Sequence, residues 1–292
     1  MSVLYERRID YVGGAGVVAK HLVAAGAKVT FSTVLGDDAF KTFAMDDMQA
    51  AGIDMRAVID PSRPTVNKNA IVVDGYRLLK VDTLDNRSIS DNILASIAEA
   101  VSSTPADAVV YSDFRHGLFN RRTLPELIKA IPPGVYRVAD SQVASRWGNI
   151  TEFTDFDMIT PNEREARFAL ADQDSGIRPL ASVLYDTARC KLLILKLGER
   201  GILACRGRDH VSLDSFFVID SFVDRVVDAV GAGDALLAYS TLAMLISRND
   251  AVATILGAFA AACECECDGN IPITPDNVRA KIADVERQMN FA

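Results

Sequence analysis

The amino-acid sequence predicts an α/β protein in which helices cover both faces of a mostly parallel sheet. Short apolar runs alternate with segments of helical period along the 292 residues, which is typical of strand-helix-strand units. Hydrophobic residues form 49% of the chain, so it can bury a substantial core. We therefore expect a single domain over residues 1–292.

The apolar runs predict core strands at residues 29–35, 108–111, 136–139, 158–159 and 192–196. The segments of helical period predict helices at residues 16–25, 40–51, 91–101, 121–130, 163–171, 181–188, 235–246 and 250–264. Because helices separate most of the strands, the strands are expected to run mainly parallel.

Residues 65–82 interrupt this pattern, because they have no helical period. Asp74-Gly75 lies between two β-prone runs and predicts a two-residue hairpin turn. In a regular hairpin around this turn, Lys68 and Lys80 project from opposite faces.

Charge and composition exclude several classes of partner. A net charge of −8 argues against nucleic acid and anionic membranes, whose phosphates require a basic surface. No uncharged apolar stretch is long enough to span a membrane, and residues 1–12 carry four charged side chains. We expect no membrane anchor, no signal peptide and a cytoplasmic location.

The five cysteines are an odd number, which fits a reducing compartment better than a disulfide framework. Cys263, Cys265 and Cys267 alternate along the chain and would share one face of a strand. The residues before them predict a helix, on which these thiols diverge. A metal site is therefore not expected there.

A glycine-rich loop precedes the alanine-rich helix predicted at 235–246. Gly231, Ala232 and Gly233 are small enough for a phosphate to approach the backbone, and a helix N-terminus favours an anion. Asp234 would weaken a plain phosphate cradle, so we expect it to accept the proton of a hydroxyl that attacks a γ-phosphate. The alternative is that Asp234 only caps the helix.

Asn162 and Glu165 lie one helical turn apart, directly after Pro161. Both can project from a helix N-terminus towards magnesium-bound water. The alternative is a capping box, in which each side chain bonds the other's backbone N–H.

Three further polar residues lie at the ends of predicted strands, where α/β sheets bind their ligands. Lys196 precedes Gly198 and can meet a phosphate there, or it can extend along the surface to solvent. Asp113 is a candidate substrate-binding acid, and Asp140 is a less favoured candidate of the same kind. The alternative is that both are solvated turn residues.

The segment Asp228-x-x-Gly231-Ala232-Gly233-Asp234 resembles the C-terminal signature of the ribokinase-like, or phosphofructokinase-B, carbohydrate kinases. Three further segments follow the order of that family's motifs. They resemble its sugar-side glycine motif, its Asn-x-x-Glu motif and its strand and turn beside the nucleotide, and they lie at residues 13–16, 160–165 and 195–201. The resemblance extends from Gly13 to a tail motif at 269–272.

This resemblance implies a ribokinase-like three-layer sandwich with a small β-lid, formed by about residues 2–8 and 65–82. Such a lid closes over the sugar and pairs with the lid of a second subunit, giving a homodimer. The implied activity is the transfer of the γ-phosphate of ATP, with Mg²⁺, to a hydroxyl of a sugar or sugar phosphate. The heptose-phosphate kinase branch is the most similar.

The resemblance also implies a role for each matching residue. Asp234 is the catalytic base, and the anion hole is formed by the backbone N–H groups of Gly231, Ala232 and Gly233. Glu165 organises the magnesium ion. The nucleotide side contains Asn162, Lys196, Gly198, Gly201 and Asp228, and the sugar side contains Gly13, Gly14, Lys68 and Asp113.

Four departures from the family pattern concern substrate recognition. No core strand with a sugar-binding acid precedes Gly13, Val17 and Val18 stand where relatives carry an Asn, His116 replaces a common lysine, and Ala258 replaces an adenine-side Asn. The alternative function is therefore a truncated or weakly active nucleotide-binding or sugar-binding protein of the same fold.

An NAD-binding oxidoreductase is a less favoured alternative. Gly14-x-Gly16-x-x-Ala19 matches the dinucleotide fingerprint, and Asp37 and Asp38 lie at the spacing of a ribose-binding acid. That fold needs a buried strand immediately before the glycines. Residues 5–11 are too charged to form one.

Overall fold

The computed structural model describes residues 3–74, 76–142, 149–269 and 271–290. The helices of these residues are α1 Ala15–Ala24, α2 Ala39–Ala50, α3 Asp91–Ser103, α4 Leu124–Ala130, α5 Glu163–Leu170, α6 Ile177–Ala188, α7 Ala232–Ser247, α8 Asp250–Cys265 and α9 Pro275–Asn290. The strands are β1 Thr30–Leu35, β2 Asp54–Ile59, β3 Asn67–Val73, β4 Tyr76–Thr83, β5 Ala108–Asp113, β6 Tyr136–Ser141, β7 Met158–Ile159, β8 Leu192–Lys196, β9 Ile202–Cys205 and β10 Phe216–Ile219. Every predicted helix and core strand is present, and β2, β9, β10 and α9 were not predicted.

The central sheet has the strand order β10-β9-β8-β7-β6-β5 in the described residues. Strands β5 to β8 are parallel, whereas β9 and β10 are each antiparallel to the preceding strand. The predicted mostly parallel sheet is therefore confirmed.

Helices cover both faces of this sheet. Leu193 and Leu195 of β8 face one core, which includes residues of α3, α4, α5 and α6. Leu192 and Ile194 face the opposite core, which includes residues of α1, α7 and α8. Because successive strand residues point to opposite faces, a strand covered on both sides is apolar at every position. The predicted three-layer arrangement is confirmed.

Strands β1 and β2 form a separate parallel pair. Strand β2 contains Asp54 and Arg56, which are partly exposed and bond each other, so its sequence lacks the continuous apolar run that identified the other parallel strands. Helix α1 precedes β1 and packs against both α7 and β5.

The predicted hairpin is present as the antiparallel pair β3 and β4. Asp74 begins the turn with a φ of 48°, as the two-residue turn requires, and Gly75 lies outside the described residues. Residues 3–8, which were expected to add a lid strand, form no strand, and Ser2 is not described. This expectation was wrong, because the charged run 6–8 lies exposed and pairs with no sheet edge.

A bulge changes the register of the hairpin. Leu78 is an extra residue on β4, so Lys68 pairs with Asp82 and Ala70 pairs with Lys80. A shift by one residue moves every later side chain to the other face of the strand. Lys68 and Lys80 therefore share one face, and the prediction of opposite faces was wrong.

Residues 3–12 contain no strand, so the buried strand that a dinucleotide-binding fold needs before Gly14 is not found there. In the described part of the chain, no helix combines the length and the apolar character that crossing a bilayer requires.

Candidate active site

A cleft of about 2250 Å³ runs along the carboxyl ends of the parallel strands. Its floor is the central sheet, and the β3–β4 hairpin and residues 3–17 border it. All the residues to which the family resemblance assigns a role line this one cleft, namely Gly13, Gly14, Lys68, Asp113, Asn162, Glu165, Lys196, Gly198, Gly201, Asp228, Gly231, Ala232, Gly233 and Asp234.

The glycine-rich loop leads directly into α7. Gly231 is the N-cap residue with a φ of 91°, and a Cβ there would lie 2.5 Å from Oε1 of Glu264. A Cβ at Gly233 would lie 3.1 Å from Nζ of Lys196. Gly231 thus needs glycine, whereas a Cβ at Gly233 would displace the end of the Lys196 side chain. The first-turn N–H groups remain available to an anion at the positive end of the helix dipole.

Asp234 lies in this first turn and is buried. Its Oδ1 has no hydrogen-bond partner in the described residues, which does not fit the capping alternative. Burial raises the pKa of Asp234 to about 7, the neighbouring Asp140 acts in the same direction, and Lys196 opposes them. A carboxyl group with this pKa can take up a proton near neutral pH.

Lys196 connects the strand ends to the glycine loop. Its Nζ donates to Oδ1 of Asp140 at 3.1 Å, and Oγ1 of Thr160 donates to the same oxygen at 3.0 Å. Burial alone would lower the pKa of Lys196, but Asp140 and Glu165 outweigh burial and raise it. The ammonium group therefore stays charged beside the loop, and the alternative that it extends to solvent was wrong.

Asn162 and Glu165 form the capping box that was the alternative to a magnesium role. Oδ1 of Asn162 accepts from the Glu165 N–H at 2.8 Å, and Oε2 of Glu165 accepts from the Asn162 N–H at 2.7 Å. Glu165 is also buried close enough to Lys196 and Asp234 to influence their pKa values. The cap and a metal role use the same side chain, and the metal role stays a prediction.

The donor set fits Mg²⁺ held jointly with nucleotide phosphates. Within residues 3–74, 76–142, 149–269 and 271–290, no group of three or more His, Cys, Asp and Glu side chains could hold a metal ion alone. Mg²⁺ prefers oxygen ligands and usually keeps waters and substrate phosphates in its shell. The unpartnered Oδ1 of Asp234 and the carboxylate of Glu165 are suitable oxygen groups.

The turn between β8 and β9 borders the side of the cleft where the nucleotide is predicted to bind. Gly198 and Gly201 both have positive φ, and a Cβ at Gly201 would lie 2.1 Å from the carbonyl oxygen of Ile219. Asp228 accepts from the N–H of Val230 at 3.0 Å and so shapes the loop before Gly231.

On the opposite side, an aromatic ring joins the hairpin to the first glycine loop. Gly14 has a φ of 58°, and a Cβ there would lie 3.5 Å from the ring of Phe114. Nζ of Lys68 lies 5.7 Å from the centre of the same ring, which is a cation–π distance. Burial lowers the pKa of Lys68, an effect that Asp82 opposes and Lys80 supports.

Asp113 is already engaged by protein groups. Nε of Arg115 lies 2.8 Å from its Oδ2, to which Oγ of Ser141 also donates, and the Arg115 N–H donates to its Oδ1. Burial raises the pKa of Asp113 to about 6 although Arg115 opposes this. Asp113 thus anchors a loop at the cleft, and its contact with a substrate stays a prediction.

A buried pair behind the glycine loop was not predicted from the sequence. Neither oxygen of Glu264 has a hydrogen-bond partner in the described residues, and Oε2 lies 3.9 Å from Nε2 of His21. Nδ1 of His21 accepts from the N–H of Ile273, so Nε2 carries the proton. Burial raises the pKa of Glu264 to about 7, and Asp228 contributes. Glu264 follows Cys263 at the end of α8, where Cys263 and Cys265 diverge on the helix.

A helix N-terminus, a buried carboxyl group with a pKa near 7 and a charged lysine together form a site suited to phosphoryl transfer, on a three-layer α/β fold. The class is therefore that of phosphotransferases of the α/β type. The model of the pfkB family carbohydrate kinases matches residues 6–277, and the chain belongs to this family. The family and the fold predicted from the sequence are confirmed.

Individual relatives agree with this assignment. The chain is 27% identical over 289 residues to the "Bifunctional protein HldE" of Rhodopseudomonas palustris (strain BisB5), covering 96% of this chain and 57% of that protein. The chain thus spans just over half the length of this relative. A protein of the same name from Helicobacter acinonychis (strain Sheeba) is 26% identical, over 82% of this chain and 51% of that protein.

Two solved structures share the fold. Phosphofructokinase-2 from Escherichia coli in complex with fructose-6-phosphate superposes with a TM-score of 0.76 at 15% identity, over 94% of this chain and 87% of the other. Ribokinase from Giardia lamblia gives a TM-score of 0.73 at 14% identity, over 91% and 87%.

Proposed function

We propose that this chain is an ATP- and Mg²⁺-dependent kinase that phosphorylates a hydroxyl group of a sugar phosphate. The observation that carries the proposal is the buried Asp234 carboxyl group in the first turn of α7, with Lys196 beside it and an unpartnered Oδ1. Asp113, whose pKa burial also raises, lies at the end of a strand instead, and Arg115 and Ser141 already engage its carboxylate.

The reaction follows from this arrangement. Bound Mg²⁺-ATP supplies the γ-phosphoryl group and the metal charge that offsets the phosphate charge. Asp234 accepts the proton of the substrate hydroxyl. The oxygen of that hydroxyl forms the new bond to phosphorus, while the bond between phosphorus and the β-phosphate oxygen breaks. The N–H groups at the start of α7 and the ammonium group of Lys196 stabilise the negative charge on the transferring group. Asn162 and Glu165 would hold the water shell of a bound Mg²⁺.

Lys68 supports a substrate that already carries a phosphate. Its side chain is exposed, and its ammonium group lies over the ring of Phe114, beside the glycine loop at Gly14, with a lowered pKa. A phosphate dianion placed there would restore a favourable charge environment for Lys68, whereas an unphosphorylated sugar would not. Similarity to proteins named HldE, and the resemblance to heptose-phosphate kinases, favour a heptose phosphate as the particular substrate.

The proposal is tested by measuring ADP formation with a panel of free and phosphorylated sugars, including heptose, hexose and pentose phosphates. We expect kcat/KM for one phosphorylated sugar to exceed that for its free sugar at least about 100-fold, because a lost charged contact in a closed site costs several kcal/mol. Binding of ATP without ADP formation for any sugar would favour the alternative, a weakly active nucleotide-binding protein of this fold.

We also propose that the hairpin mediates a homodimer. Val72, Tyr76, Leu79 and Val81 are exposed on a two-stranded sheet that pairs with no other strand in the described residues. Burial of such a surface against a second copy is the usual means of protecting an apolar edge. Sedimentation of the wild type should give a dimer that Leu79→Lys dissociates, and a monomeric wild type would contradict the proposal.

A further inference from the structure

A loop of residues 220–231 connects β10 to α7 and ends at Gly231, the N-cap residue of α7. This 220–231 loop lines the cleft on the side where the nucleotide is predicted to bind, through residues that include Phe222 and Asp228. All of its residues are described, and none of them belongs to a helix or a strand. The shape of the loop therefore depends on its contacts with neighbouring elements.

Backbone N–H groups of the loop bond the C-terminal end of α8. The N–H groups of Val227 and Asp228 donate to the carbonyl oxygen of Cys265 at 2.7 Å and 3.2 Å. The N–H group of Asp224 donates to Oε1 of Glu266 at 2.8 Å. A helix leaves its last carbonyl groups without partners inside the helix, so the bonds to Cys265 satisfy the loop and the helix end together.

Lys281 of α9 joins the loop to the same helix end. Its Nζ donates to Oδ2 of Asp224 and to Oε1 of Glu266, both at 2.7 Å. The side chain of Lys281 is 5% exposed, and an ammonium group so placed needs charged partners. Burial alone would lower the pKa of Lys281, but the hydrogen bonds to the two carboxylates outweigh burial and raise it. Lys281 therefore stays charged, with one acceptor from the loop and one from α8.

The two carboxylates would repel each other without this ammonium group. An oxygen of Asp224 and an oxygen of Glu266 lie at 2.7 Å from the same nitrogen, so the two like charges are close neighbours. The same oxygen of Glu266 accepts from the Asp224 N–H, so repulsion would act directly on a bond that holds the loop. The charge of Lys281 thus stabilises the loop on the end of α8.

Lys281 can affect the cleft only through the loop, because neither Lys281 nor Asp224 lines the cleft. The start of the loop is held separately by an apolar contact, since the ring of Phe222 stacks on the ring of Phe259 of α8 at 4.0 Å between centres. The middle of the loop depends on the bonds of Asp224. It leads directly to Asp228, whose Oδ1 accepts from the N–H of Val230 just before the glycines.

We propose that Lys281 is a positioning residue that holds the 220–231 loop in the conformation that binds the nucleotide. The inference rests on the proposed kinase function, which assigns this side of the cleft to ATP. If removal of the charge lowers the population of the held loop to about a tenth, the apparent Kd for ATP rises about tenfold, because only the held loop binds. The sugar side of the cleft should not be affected.

The test compares the wild type with Lys281→Met, which keeps an unbranched side chain and removes the charge. Amide hydrogen exchange at Asp224, Val227 and Asp228 should become at least about tenfold faster, since their acceptors lie on α8. The Kd for Mg²⁺-ATP, measured by calorimetry without sugar, should rise about tenfold. In turnover assays KM for ATP should rise, while kcat at saturating ATP and KM for the sugar stay within about twofold of wild type.

Three further variants separate positioning from a general loss of stability. Arg279→Met is the matched control, because Arg279 lies on the same helix and pairs with Asp276 instead of the loop. Asp224→Ala breaks the network at a side chain that is 57% exposed, so it should weaken ATP binding even if Lys281→Met unfolds the protein. Adding Asp224→Asn to Lys281→Met should restore part of the ATP affinity, because the amide removes one like charge and can donate to Glu266.

Unchanged amide exchange in the loop, an unchanged Kd for ATP, an equal effect of Arg279→Met or no recovery by Asp224→Asn would overturn the inference. A lysine that only docks α9 predicts no such recovery. Failure of the proposed function gives a different result. ATP binding that weakens in Lys281→Met, without turnover of any sugar by the wild type, would refute the kinase activity and support the role of Lys281 in nucleotide binding.

Discussion

Replacing Asp234 by Asn should separate its catalytic role from its effect on stability, because the two change in opposite directions. The substitution keeps the shape of the side chain and removes its ability to take up a proton. Loss of a general base typically lowers turnover by roughly 100-fold or more. The affinity for ATP should change little, since the N–H groups of α7 and Lys196 remain.

The stability effect follows from the pKa of Asp234. A pKa of about 7 instead of 3.8 means that the fold disfavours the charged form by about 4 kcal/mol, at about 1.4 kcal/mol for each tenfold change. The folded state holds the proton more tightly than the unfolded state, so this penalty is absent below pH 3.8 and complete above pH 7. Local relaxation reduces it, and we expect Asp234→Asn to raise the stability at pH 8 by roughly 2 kcal/mol, or several °C in melting temperature.

The assay compares wild type and Asp234→Asn in turnover at pH 5.5 to 9 and in ligand-free melting temperature at pH 5 and 8. Wild-type turnover should rise with pH and level off above about pH 7, because Asp234 must be ionised to act as the base. Asp91→Asn is the matched control, since Asp91 also lies in the first turn of a helix but is 90% exposed and outside the cleft. Turnover within a few-fold of wild type would refute the base assignment, and no stabilisation at pH 8 would refute the charge penalty.

Three further predictions concern the rest of the cleft. Glu165→Gln should raise the Mg²⁺ concentration needed for half-maximal rate. The melting temperature should stay nearly unchanged, because Gln still accepts the capping hydrogen bond. A loss of stability without a change in the Mg²⁺ requirement would show that Glu165 serves only as a helix cap. Lys68→Ala should raise KM for the phosphorylated sugar about tenfold without changing KM for ATP. Lys80→Ala, on the same face of the hairpin, should have a smaller effect. Equal effects on KM for the sugar and KM for ATP would contradict a phosphate contact. Glu264→Gln should raise the melting temperature clearly more at pH 8 than at pH 5, because the penalty for charging Glu264 in the folded state grows between pH 4.5 and about pH 7. The same change at both pH values would exclude a charge effect.

The sequence predicted the strands and helices whose burial makes them apolar. Strand β8 is buried on both faces, so its continuous apolar run identified it, and the same argument found β5, β6 and β7. Strand β2 was not predicted, because its Asp54 and Arg56 are exposed and interrupt the apolar run. The extra residue Leu78 also could not be predicted, since a bulge depends on how two strands pair and not on the alternation within either one.

The site was predictable in its residues but not in its contacts. Motif spacing placed Lys196 and Asp234 in one cleft, because the carboxyl ends of parallel strands and the start of α7 meet there. The partnership of Lys196 with Asp140 joins residues 56 positions apart, and that of His21 with Glu264 joins two helices distant in sequence. Such pairs depend on how distant elements pack together, so no local pattern in the sequence predicts them.

These contacts also explain why Asp234, and not one of its neighbours, is the carboxyl group suited to act as the base. Oδ1 of Asp140 accepts from both Lys196 and Thr160, and Oε2 of Glu165 accepts from the backbone of Asn162. Each of these oxygens is therefore already engaged by a protein donor. Oδ1 of Asp234 accepts none in the described residues, and burial beside Asp140 raises its proton affinity. Asp234 therefore combines an oxygen without a partner in the described residues with the raised proton affinity that a general base requires.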